Sequence, residues 1–321
     1  MLTLNDTRCY YFDDDIHQHL LIISPTETSL DLMGWLNFNL SELKFYLQHH
    51  GAILLRGFQL YSAQLCQKTA ETLIPHLLPY LNRSTPRTHI GGKIYTSTEY
   101  PPEQIIPQHN ENSYSHEWPE EILFFCLVPP TIGGETPITD SRLIYQHMPH
   151  PLKKKFLEAG VLYLRNYRHA MGLSWQDAFQ TSNPSEVDTY LKKAGIEWVW
   201  HHNEHLTTKY KGPAAILHKM TNQHCWFNQA HLFHIYSLCE TYRNYLLNTY
   251  TSEEMPRHAY FGDQTEIEPD DITQILALYQ EHSYHFAWQR GDILWLDNQL
   301  YAHGRFAFTG NRKIVVAMGN N

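Results

Sequence analysis

The 321-residue sequence lacks the basic excess that a nucleic-acid partner demands. Lys and Arg number 24 against 33 Asp and Glu, a formal net charge of −9, whereas a phosphate backbone is met by a basic face. Long apolar runs are also missing, and without a stretch of about 18 such residues no membrane-spanning helix is expected. Met1 to Asp15 carries no basic segment followed by an apolar one, so no secretory leader is expected. Cysteine is scarce and scattered, at Cys9, Cys66, Cys126, Cys225 and Cys239, with no CxxC pair. That excludes a disulfide framework and a zinc knuckle, and fits a reducing cytoplasm. Charged residues reach only 18% while hydrophobic ones make up 42%, which excludes a disordered or coiled-coil chain. Internal repeats, low-complexity stretches and linkers are absent too, so residues 1–321 read as one domain.

Histidine and aromatic residues, by contrast, are plentiful: 22 His, 21 Tyr, 14 Phe and 8 Trp. The aromatics are expected to fill a core. The histidines invite a metal, but at this frequency they also generate motifs by chance, so context has to decide.

Apolar spacing predicts helices over Ser41–Leu47 and Ser62–Ile74, each opening at a serine able to cap it. Between them Gly51-Ala-Ile-Leu-Leu-Arg-Gly-Phe58 reads as a short buried strand. Glu121 to Val128 (EILFFCLV) is a core strand closed by Pro129-Pro130 and Gly133-Gly134. A helical insert is expected over about 140–194, in two parts, Asp140–Ala159 and Trp175–Ala194, with Ser174 and Pro184 at the joints. Strand character returns at Trp226–Asn228, Gly291–Asp297 and Arg312–Met318. Strands at both ends with helices between them predict a mainly β fold with inserted helices, its core a jelly roll assembled from distant segments.

His109-Asn110-Glu111 sets an imidazole and a carboxylate two residues apart, which on a strand puts both on one face. A later histidine would complete a set of two His and one carboxylate, a donor set that suits iron(II) because coordination positions stay open. A structural zinc site would fill all four positions with protein ligands. His202-Asn203-Glu204 repeats the tripeptide. The first copy lies between the Pro101-Pro102 break and a core strand, while the second precedes a basic stretch, and this favours the first. His303, at the end of Asp297-Asn-Gln-Leu-Tyr-Ala-His-Gly304, is the third candidate, a buried histidine with a satisfied hydrogen bond being the alternative. Beyond a turn at Thr309-Gly310-Asn311 stands Arg312, whose fork can clamp a carboxylate bidentately. It is expected one antiparallel strand from an iron ligand, sharing a face with Ile314 and Val316. For Arg312 alone, a carboxylate clamp and a surface ion pair stand level.

The blocks GAILLRGF, YTSTEYPPEQIIPQHNENSY, GGETPI, WFNQ and GDILWLDNQLYAHGRFAFTGNRKIVVAM, in that order, resemble the taurine-dioxygenase superfamily, and within it the clavaminate synthase-like and SyrP-like branch. They run from about residue 51 to 318. The resemblance implies a double-stranded β-helix (jelly-roll) core and the use of Fe(II), 2-oxoglutarate and O2. It carries metal binding onto His109, Glu111 and His303, and 2-oxoglutarate binding onto Thr136 with Arg312. Two departures narrow the substrate. Glu111 stands where taurine dioxygenase has aspartate, and no second arginine follows on the last strand, so a taurine-like sulfonate is not expected. The retained carboxylate likewise speaks against a halogenase.

Relatives in this branch hydroxylate amino acids, free or tethered to a carrier protein, in natural-product assembly. The expected function is therefore hydroxylation of an amino acid or carrier-bound aminoacyl group, a small-molecule substrate with no nucleic acid or membrane involved. Tyr95, Glu99, Asn112 and Arg305 lie in or near the blocks and are candidate substrate contacts; core packing, turn hydrogen bonds or ion pairs are their alternatives. Desaturation or cyclisation with the same cofactors, a cupin-like metal hydrolase or isomerase, and an inactive binding protein remain as other readings. A lid could be supplied by the helical insert or the loop at Gly262-Asp263.

Overall fold

The computed structural model describes residues 4–11, 20–79, 89–96, 100–168, 172–202 and 205–321. Its organising element is a sheet in the order Thr7–Tyr11, Leu21–Pro25, Ala52–Leu55, Ile293–Asp297, Glu121–Val128, Lys313–Asn320, Ile94–Thr96, His89–Gly91, with His76–Leu77 also paired to Lys313–Asn320. Apart from one parallel pair, Leu21–Pro25 with Ala52–Leu55, its ladders are antiparallel. Opposite lies a three-stranded sheet, Ile138–Asp140, Tyr301–Arg305 and Ile106–His109. The two sheets form the jelly-roll core.

Glu121–Val128 shows why that strand is apolar throughout. Ile122, Phe124 and Cys126 pack between the sheets with Ile138, Leu300, Tyr301, Ile314 and Val316. Leu123, Phe125 and Leu127 face the other way, under helices Leu32–His50 and Ala63–Leu73. A strand buried on both faces loses the alternation that marks a half-exposed one.

Helix Leu32–His50 begins nine residues before the expected serine. Asp31 caps it, its carboxylate accepting from the Met33 and Gly34 N–H groups at 3.2 and 3.0 Å. Ser41 sits mid-helix on the exposed side, because buried Leu32, Trp35, Leu36, Asn39, Leu43 and Leu47 form one continuous stripe. Gly51 ends the helix at φ 85°, where a Cβ would meet the Tyr301 ring at 2.7 Å. Ser62 does cap Ala63–Leu73, accepting from the Leu65 N–H at 3.2 Å.

The stretch 140–194 is helical only in part. Ser141–His147, His150–Ala159, Trp175–Phe179 and Pro184–Lys193 are helices, but Val161–Tyr167 is a strand. It belongs to a sheet in the order Glu197–Trp200, Leu206–Gly212, Val161–Tyr167, Arg257–Phe261. Gly262 is locked in the turn after this sheet, its N–H donating to the Gly160 carbonyl at 3.0 Å. The expected strand at Trp226–Asn228 is His224–Trp226. Lys313–Asn320 starts one residue after Arg312 and lies in the large sheet, whereas His303 lies in the small one. Arg312 therefore approaches the histidine strand from across the barrel rather than from the next strand. Among the described residues no helix is long and apolar enough to cross a membrane.

Candidate metal and cosubstrate centre

His109 and His303 are direct cross-strand partners in the small sheet, with ring centroids 4.8 Å apart. The strand Ile106–His109 stops at the first ligand, so Glu111 reaches the site from a turn and not by strand alternation. Asn112, with φ at 56°, forms the bend. Glu111 Oε2 lies 3.8 Å from His303 Nε2, and one donor atom from each of the three residues falls within 4.8 Å of the others. The Pro107 carbonyl accepts from His109 Nδ1 at 2.8 Å. That bond places the ring proton on Nδ1 and leaves Nε2 as a lone-pair donor, the tautomer a metal requires. The Phe124 ring meets His303 edge-on at 5.0 Å and supplies an apolar wall.

The turn is held by amides that sequence reading did not single out. Asn298 Oδ1 accepts from the Glu111 N–H at 2.7 Å, while its Nδ2 donates to the Glu111 and Pro119 carbonyls at 3.0 and 2.8 Å. Asn110 points away from the metal face, donating to Ser141 Oγ and the Asn298 carbonyl. Gln229 Nε2 donates to the Asn110 carbonyl at 2.8 Å. Asp297 fixes the Asn298 turn by accepting from the N–H groups of Gln299 and Leu300. The available signal was the run of polar residues after an apolar strand, a place where buried amides have to find backbone partners.

Arg312 meets the segment that carries Thr136. Arg312 Nε donates to the Gly134 carbonyl at 3.0 Å, and Thr136 is buried with its hydroxyl accepting from Trp288 Nε1 at 3.3 Å. Burial, and secondarily the charge of Arg305, push the Arg312 guanidinium down to about 10. It stays cationic at neutral pH and would gain from an anion.

The remaining candidates separate. Tyr95 is buried between the sheets. Asn112 accepts from the Tyr114 hydroxyl at 3.2 Å. Arg305 donates to the carbonyls of Tyr100, Pro101 and Gln104 at 2.7 to 2.9 Å, so its fork pins that loop to the histidine strand. Glu99 lies outside the described residues. Of the repeated tripeptide, His202 is exposed and Asn203 and Glu204 lie outside the described residues. Among the described residues a second grouping, His234, His258 and Glu266, also brings metal-type donors together, but its carboxylate is exposed. Burial there holds both imidazoles below their ordinary range, His234 at about 3.

Comparison with known proteins agrees with this geometry. The family model described as taurine catabolism dioxygenase TauD, TfdA family matches residues 18–318. The dapdiamide synthesis protein DdaC of Enterobacter agglomerans is 36% identical over 302 residues, 94% of this chain and 91% of that protein. A clavaminate synthase-like protein of Arabidopsis thaliana is 30% identical over 283 residues, covering 85% and 82%. In fold the chain is similar to PvcB, an Fe, alpha-ketoglutarate dependent oxygenase from an isonitrile synthetic pathway. There the TM-score is 0.55 at 15% identity, over 99% of this chain and 93% of that one. A taurine dioxygenase from Burkholderia xenovorans aligns with a TM-score of 0.53 at 11% identity, over 98% and 89%. The chain belongs to the taurine catabolism dioxygenase TauD, TfdA family, and is a non-haem iron oxygenase dependent on 2-oxoglutarate.

Proposed function

We propose that His109, Glu111 and His303 hold the iron(II), that Arg312 and Thr136 bind 2-oxoglutarate, and that the enzyme hydroxylates an amino acid or aminoacyl group in natural-product biosynthesis. The observation that carries the reading is the convergence of a His/Glu/His set within 4.8 Å in a barrel that also brings Arg312 beside Gly134–Thr136. Iron(II), 2-oxoglutarate and dioxygen together supply oxidation of a C–H bond, with succinate and carbon dioxide as by-products. The chain's own residues supply the rest. Pro107 and Asn298 preset the ligand orientations, Phe124 and the inter-sheet core keep water from the site, and Arg312 offers a planar fork for a carboxylate. A biosynthetic setting is supported by the names of the dapdiamide relative and of PvcB.

Anaerobic titration of the apo-protein with Fe(II) and then 2-oxoglutarate tests the cofactor assignment through the weak visible charge-transfer band of the chelate. The band is expected in the wild type and not in His303→Ala. Succinate release is then screened against free and carrier-loaded amino acids. A band that persists in His303→Ala would overturn the assignment of His303 as a metal ligand.

A further inference from the structure

A cavity of about 370 Å³ opens between the four-stranded sheet and helix Glu240–Thr249, lined among others by Tyr100, Arg165, Phe233, Leu238, Tyr242 and Arg257. Contacts tie its lining to the segments that carry the candidate metal ligands. Tyr100 is the residue whose carbonyl Arg305 holds, two positions beyond His303. Tyr114, three residues after Glu111, lies 5.6 Å under the Arg165 guanidinium, and its ring is 5.1 Å from Phe233.

Arg165 and Arg257 are direct cross-strand partners. They share the face of Tyr163, Ala259 and Phe261, the face that builds the core. Like charges set opposite each other on a sheet repel, and a desolvated pair repels more strongly. The titratable groups facing Arg257 among the described residues are Tyr100, Arg165, Tyr114 and Tyr242, none of them a carboxylate, and burial pushes its guanidinium below the ordinary value. Its planar group lies 5.5 Å from the Phe233 ring, which fixes the fork's plane without neutralising it.

We infer that the Arg165–Arg257 pair is the subsite for a free carboxylate of the substrate, held in this cavity. The inference rests on the oxygenase reading and deepens it. Two forks side by side match a carboxylate's oxygens, while the apolar remainder of the cavity suits a short aliphatic or acyl chain. An aminoacyl group tethered to a carrier as a thioester has no free α-carboxylate to offer. The pair therefore favours an untethered amino acid or N-acyl amino acid.

The test uses protein loaded with Mn(II) and N-oxalylglycine, which fill the metal and 2-oxoglutarate positions without turnover. The probes are the free L-amino acids and their N-acetyl derivatives, each matched with its carboxamide, and binding is read by calorimetry. At least one acid is expected to bind tenfold or more tighter than its amide. That preference should fall to within threefold in Arg257→Gln and in Arg165→Gln, and be partly kept in Arg257→Lys, which retains charge but not the fork. A panel in which no acid beats its amide by threefold overturns the inference. So does a preference that survives both Gln variants, or an aminoacyl carrier protein that binds more tightly than every free acid. The Fe(II)–2-oxoglutarate band is measured in parallel. A band without acid preference sinks the carboxylate subsite alone. A band that persists in His303→Ala sinks the proposed metal-ligand assignment and leaves the acid-against-amide comparison readable.

Discussion

The Asn298 carboxamide closes a two-way hydrogen-bonded pair with the backbone of Glu111, accepting from its N–H at 2.7 Å and donating to its carbonyl at 3.0 Å. Glu111 comes from a turn and has no ladder of its own, so this pair does the work a neighbouring strand does for His109 and His303.

Asn298→Ala is therefore expected to weaken metal binding by about 10- to 100-fold, the usual cost of losing a group that orients a ligand. Asn298→Asp can accept from the Glu111 N–H but cannot donate to its carbonyl, and should fall between. Anaerobic calorimetry with Fe(II) or Mn(II) checks this. Unchanged affinity in the alanine variant would mean that the turn holds Glu111 unaided.

Arg312→Ala should raise the dissociation constant for 2-oxoglutarate by about two orders of magnitude, as loss of a buried charged partner does. Arg312→Lys should recover only part, because an ammonium cannot reproduce the fork or the Nε contact to the Gly134 carbonyl. The chelate band gives both constants. Equal affinities for the wild type and the alanine variant would place the carboxylate elsewhere.

Helix caps separate what the sequence shows from what it hides. Ser62 and Ser41 look alike on paper, each before an apolar-periodic stretch, yet Ser62 caps and Ser41 does not. The true start at Asp31 is legible only once Leu32, Trp35 and Leu36 are counted into the stripe. Ser62→Ala is expected to cost about 1 kcal/mol, whereas Ser41→Ala should be neutral or stabilising by up to about 0.5 kcal/mol. Urea denaturation of the two variants checks the difference in sign.

Legibility followed the same division at the site. The clustering of His109, Glu111 and His303 was readable because a short motif and an ordered set of blocks coincide. The strand Val161–Tyr167 was not, because its residues pair with Leu206–Gly212 and Arg257–Phe261, too far along the chain for any local pattern to reveal. The Arg165–Arg257 pair was hidden for the same reason. Arg305 was singled out as a candidate substrate contact, and its bonds to three backbone carbonyls were not legible, since such partners carry no side-chain signature.

Glu121 gives the fold a pH dependence of its own. It is buried with Trp295 Nε1 donating to its Oε2 at 2.8 Å, and burial pushes its carboxyl up from the usual range to about 7. A carboxyl raised on folding keeps its proton longer in the folded state, so its contribution is fully present below about pH 4.5 and is lost as pH rises through about 7. Glu121→Gln removes this slope while leaving an oxygen for Trp295. It is expected to be more stable than wild type at pH 8 by on the order of 2 kcal/mol, with the difference shrinking towards pH 5. Denaturation at the two pH values reads the gap directly, and a gap independent of pH would assign the buried carboxyl no titration in this range.

Gly134 couples backbone geometry to the placement of Arg312. It sits at φ 70°, and a Cβ there would meet Phe308 Cβ and Pro130 Cγ at 2.9 Å and Arg312 Cδ at 3.1 Å. Gly134→Ala thus strains the backbone and crowds the stem of the arginine proposed to hold 2-oxoglutarate. Of the three neighbours, Phe308 and Pro130 are anchored, one in the ladder that pairs with Gly133 and the other by its ring, so Arg312 is the one that yields. The expected result is a selective loss: 2-oxoglutarate binding about tenfold weaker by the chelate band, with metal affinity within twofold of wild type because His109, Glu111 and His303 lie on other segments. Equal losses in both constants would show instead that the Gly133-Gly134 turn supports the whole centre.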